Sequence, residues 1–406
     1  MTDLPHEAYL GAMSTLERVG PATLRRLLSL GPPDQVWSLI RAGRIPRELL
    51  SALPEPSVVA AATWPDQAAG VDPAQIWDRC ERTGVGAVSL GSPGYPAALA
   101  QDPEPPVVLF HIGDPDVLAA PRAAIVGTRR ATGYGLRVAR DLGLELARAG
   151  VCVVSGLALG IDAAAHRGAV TPGEAGAGAA AGAAAVVGGG LDAPGPVRNA
   201  EVARAVAATG VLLSEVPPGV QAVPWRFPVR NRILAGLAQV LVVVESAPTG
   251  GSMLTVQEAQ VRDRPVLAVP GPIDSHVSLG TNQLIEEGAS VCSGATDVLL
   301  ALGMDAPGHP RGPSGDPRPR PDGAAAVVLD QLGWRPCSIE RLAVRTGLDL
   351  GGLSRVLGQL ERSGWAERRG GFVERVARSP DSATVRGADG DTPYRRPRQG
   401  QLGLES

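Results

Sequence analysis

Two short apolar runs, each followed by a glycine turn, are the most restrictive feature of the sequence. Residues 123–126 form the first run and residues 151–155 the second, and a segment with apolar residues at helical spacing joins them. A strand, a turn and a helix that are repeated in this way predict a parallel sheet with crossover helices. Both turns then lie at the carboxyl ends of strands, where open α/β sheets bind ligands.

The residues of these two turns favour an anion as the ligand. Glycines at 127, 156 and 160 let the backbone approach a phosphate, and helix N-termini behind the turns supply unpaired N–H groups. Thr128 and Thr132 add hydroxyl groups, and Arg129 adds a guanidinium that matches phosphate oxygens. The alternative is that the glycines only build tight turns. Neither turn reads G-x-x-x-x-G-K-[ST], so an ATPase P-loop is not predicted.

Composition narrows the class of protein and its compartment. The four cysteines are far apart and form no C-x-x-C pair, which predicts neither a disulfide scaffold nor a zinc site and favours the reducing cytoplasm. No apolar run is long enough to span a membrane. The net charge is −3, so binding to nucleic acid would have to come from local clusters of arginine. No metal and no cofactor are predicted.

The order of segments predicts an α/β protein with flanking helical units. An extended Rossmann-like, doubly wound sheet carries an N-terminal helical domain and a C-terminal winged helix, which has three helices and a two-stranded wing. The third of these helices would carry Arg355, Gln359 and Arg362 outward. The predicted segments are residues 1–70 (helical, of the SAM or helix-hairpin-helix type), 71–302 (Rossmann-like), 303–322 (Pro/Gly-rich linker), 323–378 (winged helix) and 379–406 (disordered tail).

Two smaller expectations concern elements near the sheet. Residues 105–110 contain two prolines before an apolar run, which predicts an edge strand. Residues 230–236 are expected to start a helix. The turn at Gly20 and Pro21 is similar to the phosphate-holding turn of a helix-hairpin-helix, and an ordinary turn between helices explains it equally well.

Several ordered motifs resemble one known family. Residues 123–289 contain I-V-G-T-R-x-x-T-x-Y-G, S-G-x-A-x-G-I-D-x-x-A-H, F-P-x-R-N-R-I-x-A-G-L and V-V-V-E-x-x-x-x-G-G-S-M-x-T. This series is similar to that of the DNA-processing protein A (DprA/Smf) family. The resemblance implies an extended Rossmann fold, a homodimer that binds single-stranded DNA, and loading of the RecA recombinase onto incoming DNA in natural transformation. It implies no enzymatic turnover and no catalytic residue.

The resemblance also implies which residues bind DNA. They fall at the starts of helices that follow strands: Gly127, Thr128, Arg129 and Thr132; Gly156, Ala158, Gly160 and Asp162; Phe227, Arg230, Asn231 and Arg232; Gly250, Gly251, Ser252 and Thr255. The chain departs from the family where Ala193 and Pro194 follow Leu191-Asp192, because the usual tyrosine is absent there. An Ala/Gly-rich run at 173–184 is a second departure.

The residues themselves support the same kind of ligand. Arg129, Arg230 and Arg232 are expected to converge on the turns as a phosphate track, and Phe227 can stack a base. Trp225 offers the same contact, with core packing as the alternative. Asp162 is expected to cap its turn or orient Arg129, and His166 is expected to be a structural histidine.

Two other functions remain open at this point. A nucleoside monophosphate phosphoribohydrolase would use similar turns, but such enzymes carry G-G-x-G-T-x-x-E, and no Thr-x-x-Glu follows residues 250–253 at the right offset. A transcription regulator would use residues 323–376, but it would not need so large an α/β domain.

Overall fold

A computed structural model describes residues 4–171, 182–304, 318–332, 337–369 and 371–376. The chain divides into two compact units, residues 1–309 and 310–406. Most of the Ala/Gly-rich run, residues 305–317 of the predicted linker and the whole predicted tail lie outside the described residues. The domain boundaries given above therefore stay predictions.

The first unit opens with a group of short helices. Several begin with proline in the first turn, where the missing N–H is not needed. Their buried side chains, Met13 and Trp64 among them, share one apolar cluster with Phe110 and Leu212 of the sheet. These helices therefore pack directly on the α/β core. They are α1 (His6–Thr15), α2 (Pro21–Leu27), α3 (Pro33–Arg41), α4 (Arg47–Ser51), α5 (Glu55–Ala60), α6 (Trp64–Ala69) and α7 (Pro73–Thr83).

Nine strands form one sheet within the described part of this unit. They are β1 (Gly86–Ser89), β2 (Val108–Gly113), β3 (Arg122–Val126), β4 (Cys152–Ser155), β5 (Ala183–Val187), β6 (Val211–Ser214), β7 (Val240–Val243), β8 (Val266–Ala268) and β9 (Ser290–Val291). The spatial order is β1-β2-β6-β5-β4-β3-β7-β8-β9. The pairs β1–β2 and β2–β6 are antiparallel, and all other pairs of this sheet are parallel.

The strand order makes the sheet doubly wound. From β3 the chain moves one way through β4, β5 and β6, then returns to the other side of β3 at β7, which is a topological switch point. Helices cover both faces and bury the largely apolar strands β3 to β7. They are α8 (Ala97–Ala100), α9 (Gly133–Arg148), α10 (Ile161–Ala169), α11 (Ala200–Thr209), α12 (Arg226–Leu237), α13 (Gly251–Val261), α14 (Leu279–Glu286) and α15 (Ala295–Ala301).

Two local predictions are wrong. The run after Pro105 and Pro106 is not an edge strand, since β2 lies between β1 and β6; both prolines precede β2 and leave its hydrogen bonds intact. Helix α12 begins at Arg226, four residues before the predicted start. The predicted start was too late because a proline normally argues against a helix. Pro228 lies in the first turn of α12, however, where the helix needs no N–H from this residue.

The second unit is a winged helix. Three helices, α16 (Gly323–Leu332), α17 (Ile339–Thr346) and α18 (Leu350–Arg362), bury a separate apolar cluster around Leu342, Leu357 and Trp365. The hairpin of β11 (Ala366–Arg369) and β12 (Phe372–Arg375) is joined by a third short strand, β10 (Cys337–Ser338), which the sequence did not reveal. The predicted fold class is confirmed: an α/β sheet with N-terminal helices and a C-terminal winged helix.

Candidate nucleic-acid interface

A cleft of about 190 Å³ opens at the carboxyl ends of β3, β4 and β5. Its walls are the turns after these three strands, the segment that leads into α12 and the first turns of α12 itself. Of the described residues that line it, two are arginines and none is acidic. The lining residues are Arg129, Gly156, Leu157, Ala158, Leu159, Val187, Gly188, Gly189, Ala193, Gly195, Pro196, Ala222, Phe227 and Arg230.

Arg129 and Phe227 form the outer part of this cleft. The Arg129 guanidinium carbon lies 5.1 Å from the centre of the Phe227 ring, which is a cation–π distance. Arg129 is exposed and Phe227 is half-buried, so both can be reached from solvent. The sequence separates them by almost a hundred residues, and the fold brings the first turn and the start of α12 together.

Arg230 forms the inner part of the cleft. Its side chain is buried, and Nη1 donates a 2.7 Å hydrogen bond to the carbonyl of Val186 at the end of β5. Burial lowers the pKa of Arg230 to about 10, and the nearby Arg129 contributes in the same direction. The guanidinium therefore stays charged at neutral pH. Its buried Nε has no hydrogen-bond partner among the described residues, so this N–H of Arg230 remains available as a hydrogen-bond donor.

The turn after β4 holds Asp162 out of the solvent. Asp162 Oδ2 accepts a 3.1 Å hydrogen bond from the backbone N–H of Gly156. Burial raises the pKa of Asp162, and the charge of Arg230 opposes that rise. The same turn bends through Leu157, which has a left-handed φ of 54° although it is not glycine. Such strained residues concentrate at functional sites. Asn199 Nδ2 secures the turn with a 2.9 Å bond to the Leu157 carbonyl.

The glycines of the first two turns serve close packing. Gly160 has a φ of 82°, and a Cβ there would overlap the carbonyl of Thr128 in the neighbouring turn. A Cβ at Gly127 would lie 2.6 Å from the Ile161 side chain. At Gly156 a Cβ would instead overlap the guanidinium of Arg230. Tight turns, the alternative to anion binding, therefore account for Gly127 and Gly160. Gly156 instead leaves space for the guanidinium of Arg230.

Thr132 lies outside the cleft. It makes hydrogen bonds across the topological switch point between β3 and β7. Its hydroxyl donates to Glu245 Oε1 at 2.5 Å, and its backbone N–H donates to Glu245 Oε2 at 2.9 Å. The Thr128 N–H donates to the Glu245 carbonyl at 2.7 Å. Glu245 thus occupies the place where a ligand often binds in such sheets, and the open cleft is shifted toward β4 and β5.

The predicted residues after β7 also lie apart from the cleft. Ser252 Oγ donates to Ser246 Oγ at 2.7 Å, and Thr255 is buried inside α13. Gly250 packs over Ser246, and Gly251 is exposed at the start of the helix. The fold does not bring this group together with Arg129 and Phe227.

Arg232 does not join the other two arginines. It is buried on α12, where it makes an ion pair with Glu215 and a hydrogen bond with the Glu104 carbonyl. Asn231 is also buried in this helix. Two residues along a helix correspond to about 200°, so Arg230 and Arg232 face different directions. Their expected convergence depended on a helix that starts at Arg230, whereas both lie inside one.

The third wall of the cleft is made by residues that the sequence reading did not assign to the site. A Cβ at Gly189 would lie 2.8 Å from the Ala222 backbone nitrogen, so the turn after β5 packs tightly under the segment before α12. Gly195 adopts a φ of 118° beside Leu157. The run Gly188-Gly189-Gly190 could have indicated that the turn after β5 belongs to the site. Its role was not recognised because the chain departs from the family pattern at Ala193 and Pro194.

His166 is buried behind the cleft, against β5. Its Nε2 lies 3.2 Å from the Ala184 carbonyl. Burial lowers its pKa to about 4, so the ring is neutral at physiological pH. Within the described residues, no group of three or more His, Cys, Asp or Glu is placed to hold a metal ion. In the same part of the chain, no helix has the length and apolar character needed to cross a bilayer.

Two models of known protein families match this chain. Residues 87–303 match the model described as DNA recombination-mediator protein A, and residues 312–371 match the DprA winged helix domain. The chain belongs to the DNA recombination-mediator protein A family. The resemblance inferred from the motifs is thereby confirmed. The members of this family are recombination mediators.

Individual relatives agree with this membership. The DNA processing protein DprA of Bacillus subtilis is 36% identical over 54% of this chain and 72% of its own length. Protein Smf of Escherichia coli is 33% identical over 69% of this chain and 74% of its own. Among solved structures, DNA processing protein A of Streptococcus pneumoniae aligns with a TM-score of 0.59 and 29% identity, covering 74% of this chain and 98% of that one.

Proposed function

We propose that this chain is a recombination mediator that binds single-stranded DNA in the cleft of Arg129, Phe227 and Arg230. The observation that carries the proposal is the exposed guanidinium of Arg129 over the Phe227 ring, beside the buried charge of Arg230. Single-strand binders combine positive charge for the phosphates with aromatic rings for the bases. The absence of acidic residues from the described lining fits a phosphate ligand.

The geometry favours an unpaired strand over a duplex. Stacking on Phe227 requires a base whose face is free, and bases inside a duplex are already stacked on each other. The cleft also has a volume of only about 190 Å³, which is far too small to hold a duplex. Arg230 lies deeper than Arg129, so we infer that the strand places one phosphate toward Arg230 and the next against Arg129, while Phe227 stacks the adjoining base.

The Arg129→Ala variant tests this assignment. Arg129 is exposed and its loss removes one phosphate contact, so we expect weaker binding to all single-stranded sequences alike. The slope of log affinity against log salt should become shallower by about 0.7, the value for one phosphate of a single strand. Arg129→Lys should recover only part of the affinity, because lysine keeps the positive charge but cannot make the bidentate hydrogen bonds of a guanidinium. Fluorescence anisotropy at several salt concentrations measures both quantities.

Arg130→Ala is the matched control for this experiment. Arg130 is the exposed neighbour of Arg129 and does not line the cleft. We expect a clearly smaller change of slope, and thermal melts should coincide for all variants. An unchanged slope with full affinity for Arg129→Ala would remove Arg129 from the site.

We further propose that the bound strand is handed to a RecA-type recombinase and that the protein acts as a cytoplasmic homodimer. What supports these proposals is family membership, since a mediator acts between a DNA strand and its recombinase. The four cysteines are free and buried thiols, in keeping with a reducing compartment. Sedimentation of the full chain, with and without recombinase and DNA, measures both associations.

We also propose that the cleft does not turn over nucleotides. Asp162, a carboxyl group whose charge acts on Arg230, is buried and accepts the Gly156 N–H, so it supports the turn. Arg129, Arg230 and Phe227 supply charge and stacking without a nucleophile or base. Release of free base from nucleoside monophosphates by the purified protein would contradict this part of the proposal.

A further inference from the structure

A second pair of arginine and aromatic ring lies next to the first. The Arg226 guanidinium carbon is 4.5 Å from the centre of the Trp225 ring. Trp225 is 42% exposed, whereas Trp37 and Trp64 are 3% and 0% exposed. Core packing, the alternative considered from the sequence, therefore does not describe Trp225.

Trp225 faces a separate cleft on the side of the N-terminal helices. This cleft, of about 350 Å³, lies between residues 15–18, at the end of α1, and residues 220–226, which lead into the start of α12. Its charged lining residues are Glu17, Arg18 and Arg226, so the balance is positive by one. The Nε of Arg226 is buried and has no hydrogen-bond partner within the described residues.

The turn that carries Arg18 is held in a strained shape. Arg18 has a φ of 58°, in the left-handed region that residues with a side chain rarely adopt. Ser57 Oγ donates to the Arg18 carbonyl at 2.9 Å, and Trp64 Nε1 donates to the Glu17 carbonyl at 2.8 Å. The Glu17 N–H donates to Gln67 Oε1 at 2.9 Å. Bonds from α5 and α6 thus fix the backbone of the turn that carries the exposed Arg18, which lines this cleft.

One segment separates the two clefts. Ala222 and Phe227 line the cleft of Arg129, while Gln221, Val223 and Trp225 line the cleft of Arg18. The two aromatic rings are two residues apart, and each has a guanidinium within cation–π distance. A strand that leaves Phe227 over this segment would next reach Trp225.

We propose that Trp225, Arg226 and Arg18 form a second nucleotide subsite for the same DNA strand. Trp225 stacks an unpaired base outside the first cleft, and Arg18 contacts a phosphate beside it. The N-terminal helices are thereby part of the DNA path and extend the footprint of the α/β domain. This inference rests on the proposed function of the Arg129 cleft.

The test compares a short and a long oligothymidylate, of about four and about sixteen nucleotides, the span of common single-strand site sizes. Trp225→Ala should weaken binding of the long strand by about 5- to 150-fold, the loss of one stacked base, and leave the short strand unchanged. Trp225→Phe should retain most of the affinity. Arg18→Ala should weaken only the long strand and reduce its salt slope by about 0.7.

Trp77→Ala serves as the control for loss of a tryptophan. Trp77 lies on α7, where its Nε1 donates to Glu81 at 2.9 Å, and it lines neither cleft. It should leave the affinity for both strands unchanged. Phe227→Ala should weaken both lengths, because both occupy the first cleft.

The outcomes separate this inference from the proposed function. An equal loss of short and long strands in Trp225→Ala, or no loss at all, would overturn the second subsite while the first stands. Full affinity of Phe227→Ala for both lengths would instead refute the first. If Trp225→Ala does not fold, Trp225→Phe and Arg18→Ala decide: full long-strand affinity in Arg18→Ala would overturn the subsite.

Discussion

Phe227→Ala is expected to lower the affinity for single-stranded DNA by about 5- to 150-fold. The variant removes the ring on which a base stacks, and one such stack contributes about 1–3 kcal/mol to binding. Arg129 also loses the ring that holds its guanidinium in place. No charge is removed, so the slope of log affinity against log salt should stay close to that of the wild type. Anisotropy titrations at several salt concentrations give both values.

Phe227→Tyr is the control, because it retains an aromatic face at the same position. We expect it to keep most of the affinity, and a thermal melt should show that both variants are folded. Unchanged binding by Phe227→Ala would exclude base stacking at this residue. A large change of salt slope would show that the ring acts mainly by placing Arg129.

Below about pH 6.5 the buried His166 should lower the free energy of unfolding. Its pKa is about 4 in the folded protein, because burial disfavours the charged ring and Arg230 adds like charge. The unfolded chain has a histidine pKa of about 6.5, so between these values it binds more protons than the folded protein does. Stability is thus fully present above pH 6.5 and falls with pH, by about 3 kcal/mol at pH 4.

His166→Gln isolates this contribution. The amide can keep a hydrogen bond to the Ala184 carbonyl but does not titrate. Asp162 is a buried carboxyl and Glu215 a partly buried one; both have raised pKa values, and they act in the opposite direction as the pH falls. The quantity to compare is therefore the difference between the wild-type and His166→Gln denaturation curves across this range. Parallel curves would show that His166 does not titrate on unfolding.

Much of the fold could be predicted because local patterns agree with the tertiary structure. The runs at 123–126 and 151–155 are buried strands, and Gly150 ends α9 with a φ of 79°, as its position implied. The clustering of Arg129 with the turn after β4 followed from the rule that parallel strands end at one edge. These features depend on periodicity and turn chemistry, which a single sequence displays.

The partners of individual polar groups could not be predicted in the same way. Thr132 lies in a glycine turn and looks available, yet Glu245 from a distant strand end takes its hydroxyl. Arg232 lies in the same motif as Arg230, yet Glu215 pairs with it on another side of α12. Both outcomes depend on long-range contacts, and the placement of Arg232 depends also on where α12 begins. The exposure of Trp225 likewise depends on how the N-terminal helices pack on the sheet.

The central claim is tested most directly by the strand preference of the purified protein. Anisotropy titrations with a fluorescent oligonucleotide, alone and annealed to its complement, should be made at moderate salt and repeated at rising salt. With a net charge of −3, general attraction to polyanions should be weak, so binding has to come from the cleft. We expect clearly tighter binding of the single strand, with a salt slope that becomes shallower in Arg129→Ala. Equal affinity for single strand and duplex, or binding of neither, would contradict it.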